Sequence, residues 1–289
     1  MTALTLPHVT TAIVAIYAFG FGIIAVLSLI PARRADAMEF AKTLGTAVAL
    51  IAVLTAMFWL GETALLIAMP IVVARISFEV IVVRLCSRRV ALLIGLTAGA
   101  ITLSAMLFDL GGTALLGLFF VAVARAIMGR RKAIASTLTF PILPACLLAA
   151  GTVDPALGPL LLATYLMVEI FDSFALFFGA MWGRTKAFPT LSPNKTVEGL
   201  LGGGFALLTL SLITAAVLGL PLLPTALTAL LVGVLAVVGD LAASRHKRIA
   251  GVKDYPQLLP RQGGLLDSLD SWIAAGAGIT ALYTFAQLW

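Results

Sequence analysis

Long apolar runs, each about the length of a bilayer crossing, alternate along this chain with short polar or Gly/Pro joints. A membrane-spanning helix needs about 20 mostly apolar residues. The runs predict about ten helices, near residues 11–30, 43–60, 64–83, 91–108, 112–128, 134–150, 157–181, 200–219, 225–241 and 267–288, with 43–60 and 112–128 carrying the weakest signal. Strict two-residue alternation, the mark of an outer-membrane barrel, is absent. The pattern predicts an all-α polytopic membrane protein with nine to ten transmembrane helices and no soluble domain. No repeat of fixed period and no low-complexity segment interrupts it.

Charge adds a direction to these helices. Arg33, Arg34 and Lys42 follow the first run; Arg84, Arg88 and Arg89 the third; Arg125, Arg130, Arg131 and Lys132 the fifth. Arg184, Lys186 and Lys195 follow the seventh, and Arg245, Lys247, Arg248, Lys253 and Arg261 the ninth. The alternate joints, near Glu62, Asp109, Asp154 and Pro221, carry no Lys or Arg. Basic loops stay on the cytoplasmic side, so every second loop is expected inside and both termini outside. Residues 1–10 hold no Lys or Arg, which predicts that the first helix is retained and not cleaved as a signal peptide.

Composition agrees: 61% of the 289 residues are hydrophobic, 11% are charged, and mean hydropathy is +1.11. No soluble globular domain is built that way. The net charge of +6 is a topological signal with some attraction to anionic headgroups, and no nucleic-acid partner is expected.

Several chemistries are absent. Cys86 and Cys146 read as isolated small hydrophobes, and His8 and His246 have no metal-site spacing. No nucleophile elbow, Walker loop or dinucleotide fingerprint occurs. Carboxylates and cations remain, concentrated in the C-terminal half. Glu169 and Asp172 lie three apart in the apolar run EIFDSFALFFGAMWGRTK, where ionisable groups usually mark an ion, proton or substrate path. The alternative is a pair that only holds helices together. Arg75 and Glu79, four apart on one predicted helix, read as a structural pair.

In LSPNKTVEGLLGGG, residues 191–204, Thr196 caps a new helix opened by Glu198, Gly199, Gly202 and Gly203. Unpaired backbone N–H groups, glycines and Lys195 together make a phosphate-binding arrangement. Gly199 and Gly203 read equally well as a packing GxxxG. Further on, Asp240 is expected to close one helix and Asp267 and Asp270 to open the next, bringing carboxylates together at a cytoplasmic mouth. Hard oxygen ligands beside a phosphate site suit Mg2+. Between them lie Ser244, Lys247, Arg248, Lys253, Asp254 and the turn Gln262-Gly263-Gly264, a loop able to hold a polyphosphate. A solvated loop obeying the positive-inside rule is the alternative.

Ser244, Lys247-Arg248, Lys253-Asp254, Pro260, Gly263-Gly264, Asp267 and Asp270 resemble, in order and spacing, the signature of the phosphatidate cytidylyltransferases, or CDP-diacylglycerol synthases. Gly239-Asp240, Asp172-Ser173 and SPNKTVEG resemble further blocks of that family, so the likeness covers most of residues 169–272. The N-terminal half resembles it only as a set of membrane helices.

The resemblance implies an enzyme in a bacterial-type inner membrane that takes CTP and phosphatidic acid, or another lipid phosphate, and releases CDP-diacylglycerol and pyrophosphate. It implies Asp240 and Asp267 as Mg2+ ligands, with a second cation left open, and Lys247, Arg248 and Lys253 as the grip on the phosphates. Asp254 and Asp270 would order the loop or complete the ion site. Ser192, Lys195, Thr196 and Glu198, with Ser244, Gln262, Gly263 and Gly264, would form the substrate pocket, and Asp172 and Ser173 would line the headgroup cavity. It implies a homodimer, a transmembrane N-terminal part over residues 1–150, and a catalytic part over 151–289 with cytoplasmic loops at 182–199 and 242–266.

Two positions depart from the family pattern: Gln262 stands where members read His, and Ser268 where they read Arg. Gln has no proton to titrate near neutrality, and Ser is no bidentate phosphate binder. Another lipid or polyprenyl phosphate is therefore an alternative acceptor. A CTP-dependent polyprenol kinase, and a transporter or scramblase without enzymatic activity built on Glu169, Asp172, Arg75 and Glu79, are the competing functions.

Overall fold

The computed structural model describes residues 4–29, 34–108, 132–258 and 263–287. Its helices are α1 (Leu6–Ser28), α2 (Arg34–Trp59), α3 (Glu62–Leu85), α4 (Arg88–Leu107), α5 (Lys132–Thr137), α6 (Leu143–Thr152), α7 (Gly158–Trp182), α8 (Val197–Leu218), α9 (Leu222–Ile249) and α10 (Leu265–Gln287). A two-stranded antiparallel hairpin, β1 (Lys186–Phe188) and β2 (Ser192–Thr196), joins α7 to α8. Among the described residues, seven helical stretches are long and apolar enough to cross a membrane, and the chain is an all-α polytopic membrane protein. The predicted run at 112–128 lies outside the described residues.

Three expectations change in detail. The ninth predicted helix does not stop at 241 but runs to Ile249, because nothing in Ala242–Ile249 breaks a helix until Gly251, at φ +72°. Asp240 therefore lies inside α9, and Ser244, Lys247 and Arg248 sit on helix, not on the loop expected at 242–266. The run at 134–150 is bent: Phe140 is extended (φ −153°, ψ 130°) ahead of Pro141, as the ring of a proline requires of its predecessor. The loop expected at 182–199 contains the β hairpin and the first turn of α8.

Helices meet where small residues let backbones approach, as membrane helix packing favours. A Cβ at Gly95 or Gly99 of α4 would come within 2.7 Å of the Ala74 carbonyl oxygen or 3.0 Å of that of Pro70 on α3. Gly199 and Gly203 of α8 press in the same way on the Ala175 and Phe171 carbonyls of α7. Of the two readings of that GxxxG, these two glycines follow the packing one. Gly239 of α9 lies against the Asp270 carbonyl and Ala274 of α10.

Helix α10 packs against α3, α6, α7 and α9. The Trp272 indole N–H donates to the Leu161 carbonyl at 3.0 Å, and its ring meets Tyr165 edge-on at 5.4 Å. Leu201, Phe205 and Val217 of α8 and Leu223 of α9 point outward, the apolar coat a lipid-facing surface needs.

Candidate active site

The polar groups of the C-terminal half converge where β2 and helices α7, α9 and α10 meet. Thr196 opens α8: its Oγ1 accepts the Gly199 N–H at 3.1 Å. That cap fixes the preceding residue, Lys195, whose Nζ lies 3.0 Å from Asp240 Oδ2 on α9. The ammonium sits off the hydrogen-bond direction, so this buried oxygen has no aligned donor. Burial pulls the Lys195 pKa down, but the charges of Asp240 and Asp172 more than reverse this, so the net shift is upward and the group stays protonated. Asp172 of α7 lies within electrostatic reach of Lys195 and Asp240 and beside Ser271.

Two turns along α9 from Asp240, Lys247 Nζ donates to Asp267 Oδ1 at 2.6 Å. The other oxygen of Asp267 accepts the N–H groups of Tyr255, at 2.8 Å, and Gly264, at 3.0 Å. A carboxylate in the first turn of a helix is well placed to take such orphan donors. Gly263 makes the approach possible: it holds φ +80°, and a Cβ there would lie 2.6 Å from Asp267 Oδ2. Asp270, one turn on, is buried, accepts the Ser271 N–H, and is in electrostatic contact with Asp240, Lys247 and Asp172. Asp172, Asp240, Asp267 and Asp270 thus gather around Lys195 and Lys247.

Other expected site residues fall elsewhere. Arg248 is exposed and directs Nε to the Leu191 carbonyl at 3.3 Å, tying the end of α9 to the hairpin. Lys253 and Asp254 are exposed on the loop after α9. Glu198 accepts the N–H groups of Arg184 and Thr185, folding the chain after α7 back onto the start of α8. Ser192 is half-buried at the start of β2, and Ser244 is buried within α9. Ser173 parts company with Asp172: it is exposed and, with Glu169, lines an apolar cavity between α1, α2, α7 and α8. Gln262 lies outside the described residues. Among the described residues, no three His, Cys, Asp or Glu side chains are placed to hold a metal by themselves.

Several participants were not read from sequence. Tyr255 is buried, donates its hydroxyl to the Ala243 carbonyl at 3.2 Å, and carries Lys247 Nζ over its ring at 5.5 Å. Its signal was a lone aromatic in a charged loop. Ser271 donates to the Ala236 carbonyl at 3.1 Å and holds α10 to α9 beside Asp270. Glu79, read from the sequence only as a partner of Arg75 or part of a transport path, reaches from α3 to accept the N–H groups of Leu265, at 3.1 Å, and Leu266, at 2.9 Å. Its expected partner Arg75 is present, with Nε 2.7 Å from Glu79 Oε1.

The chain is similar to known proteins over part of its length. The chain is 42% identical over 119 residues to the uncharacterized protein YnbB of Escherichia coli (strain K12), a match covering 40% of each chain. It is 37% identical over 119 residues to a phosphatidate cytidylyltransferase of Staphylococcus haemolyticus, covering 39% of this chain and 44% of that one. It is also 37% identical over 146 residues to one of Haemophilus influenzae, covering 46% and 49%. The matched region thus spans less than half the length of these relatives. Residues 41–286 match the Cytidylyltransferase family as a whole, and the chain belongs to that family.

Proposed function

We propose that this protein transfers the cytidylyl group of CTP to a lipid phosphate, phosphatidic acid, giving CDP-diacylglycerol and pyrophosphate. The observation that carries this reading is the gathering of four carboxyl and two ammonium groups where β2, α7, α9 and α10 meet, in a chain of the Cytidylyltransferase family. A phosphate oxygen of the lipid attacks the α-phosphorus of CTP. The bond from that phosphorus to the bridging oxygen breaks, and pyrophosphate leaves with the electron pair. The nucleophile comes with the substrate, so the protein needs no Ser, Cys or His nucleophile and contributes position and charge.

The four carboxyl groups outnumber the two ammonium groups, a donor set that fits Mg2+. Asp240 offers an oxygen with no aligned donor. Asp267 spends Oδ1 on Lys247 and Oδ2 on two amides, yet a carboxylate has about four lone-pair sites and retains capacity. Asp240 and Asp267 would hold Mg2+, which would supply charge neutralisation on the phosphates. Lys195 and Lys247 orient the polyphosphate, and exposed Lys253 meets it from the loop. The basic loops around the site support a cytoplasmic side for it, and an inner membrane is part of the same proposal.

Purified protein supplied with CTP, Mg2+ and phosphatidic acid, polyprenyl phosphate or polyprenol tests this. A CDP-lipid with equimolar pyrophosphate from phosphatidic acid is the expected product. A phosphorylated alcohol with CDP assigns the kinase reaction instead.

A further inference from the structure

Glu79 belongs to α3, in the half of the chain that carries none of the clustered carboxylates, yet it is fully buried against the start of α10. A helix begins with N–H groups that have no partner within the helix. At α10 two carboxylates divide them: Glu79 takes Leu265 and Leu266, and Asp267 takes Gly264. Arg75 stands behind, bonded to Glu79 and directing Nη2 to the Pro256 carbonyl at 3.4 Å. Gly264 completes the fit, since a Cβ there would lie 2.6 Å from Glu79 Oε2 and 2.7 Å from Tyr255 Cβ.

Resting on the cytidylyltransferase reading for the role of α10, we propose that Glu79 is a positioning residue for the reaction. With Arg75 behind it, it sets the first turn of α10 and so aims Asp267 and Asp270 at the phosphates. By holding Leu265 and Leu266, Glu79 leaves Asp267 to face Lys247 and Tyr255. Without it, the Leu265 and Leu266 N–H groups lose their acceptor, and the turn that carries Asp267 loses its tie to α3.

Glu79→Gln and Glu79→Asp, with wild type, test this in two readouts. Hydrogen exchange follows the Leu265 and Leu266 amides against those of α4. The Mg2+ concentration giving half-maximal CTP turnover follows the aim of the carboxylates, which simple loss of folded protein does not shift. In Glu79→Gln the two amides are expected to exchange about tenfold faster or more, as loss of a charged acceptor entails, with α4 unchanged. The half-maximal Mg2+ concentration is expected to rise about 10- to 100-fold, the usual consequence of losing a residue that orients a ligand. Glu79→Asp, which keeps the charge on a shorter arm, is expected between the two and serves if Glu79→Gln does not fold. Wild-type exchange at both amides, or an unshifted Mg2+ requirement, overturns the proposal. Wild-type protein that consumes no CTP overturns the cytidylyltransferase reading instead, while the exchange data still decide whether Glu79 anchors α10.

Discussion

Lys247 and Asp267 meet across 2.6 Å with side chains only 11% and 9% exposed, so one ion pair clamps α9 to α10 inside the polar cluster. The pair joins residues 20 apart in sequence across the charged loop, and Tyr255 closes it from that loop. Charge in this region is structural and, in the proposed reaction, chemical as well, and the two contributions separate by substitution.

Lys247→Met leaves the Asp267 carboxylate buried without its countercharge. Breaking one side of such a pair costs about 3–5 kcal/mol, read as a lowered unfolding midpoint in detergent. Lys253→Met, on the exposed loop, is expected to stay within about 0.5 kcal/mol of wild type while weakening CTP turnover. Equal stability losses in the two variants would contradict the clamp.

Asp240 and Asp267 separate similarly. Asp240 is about a quarter exposed, and its partner Lys195 also feels Asp172, so Asp240→Asn should lose less stability than Asp267→Asn while turnover falls on the order of 100-fold. Asp267→Asn loses the bond to Lys247 as well as activity, and should unfold at lower temperature. Parallel activity assays and melting curves check both. A fully active Asp240→Asn would remove Asp240 from the chemistry.

Gly239 precedes Asp240 and lies against the backbone of Asp270. Gly239→Ala forces α9 off α10 and is expected to cost about 1–3 kcal/mol, the range for overpacking, with activity falling further as Asp240 moves from Asp270. Gly204→Ala, where a Cβ meets nothing within 4 Å, is the control and should leave the melting curve within about 0.5 kcal/mol of wild type. A tolerated Gly239→Ala would show that the spacing of α9 and α10 is not critical.

Apolar length was legible in the sequence because lipid demands it, and the run at 64–83 became α3 with little adjustment. Chemistry at a helix end was less so. Residues 242–249, polar from Ser244 to Arg248, read as loop, but a helix satisfies its own backbone beyond the apolar zone and continues until the chain breaks it, here at Gly251. The Arg75–Glu79 pair was visible because four residues is one helical turn. The reach of Glu79 to Leu266 was not, since no local pattern marks a contact spanning 187 positions. Thr196 showed as a cap by its residue type, while the work of Glu198 on the Arg184 and Thr185 amides depended on a hairpin that Pro193 concealed.

In the proposed reaction the α-phosphate of CTP, with its cytidine, ends on the lipid. Purified protein with phosphatidic acid, Mg2+ and CTP labelled at either the α- or the γ-phosphate measures this directly, with Asp240→Asn as the blank. The expected result is lipid labelled only from the α-position, with the γ-label recovered in pyrophosphate. Lipid labelled from the γ-position, or CTP left intact beside every lipid offered, would contradict it.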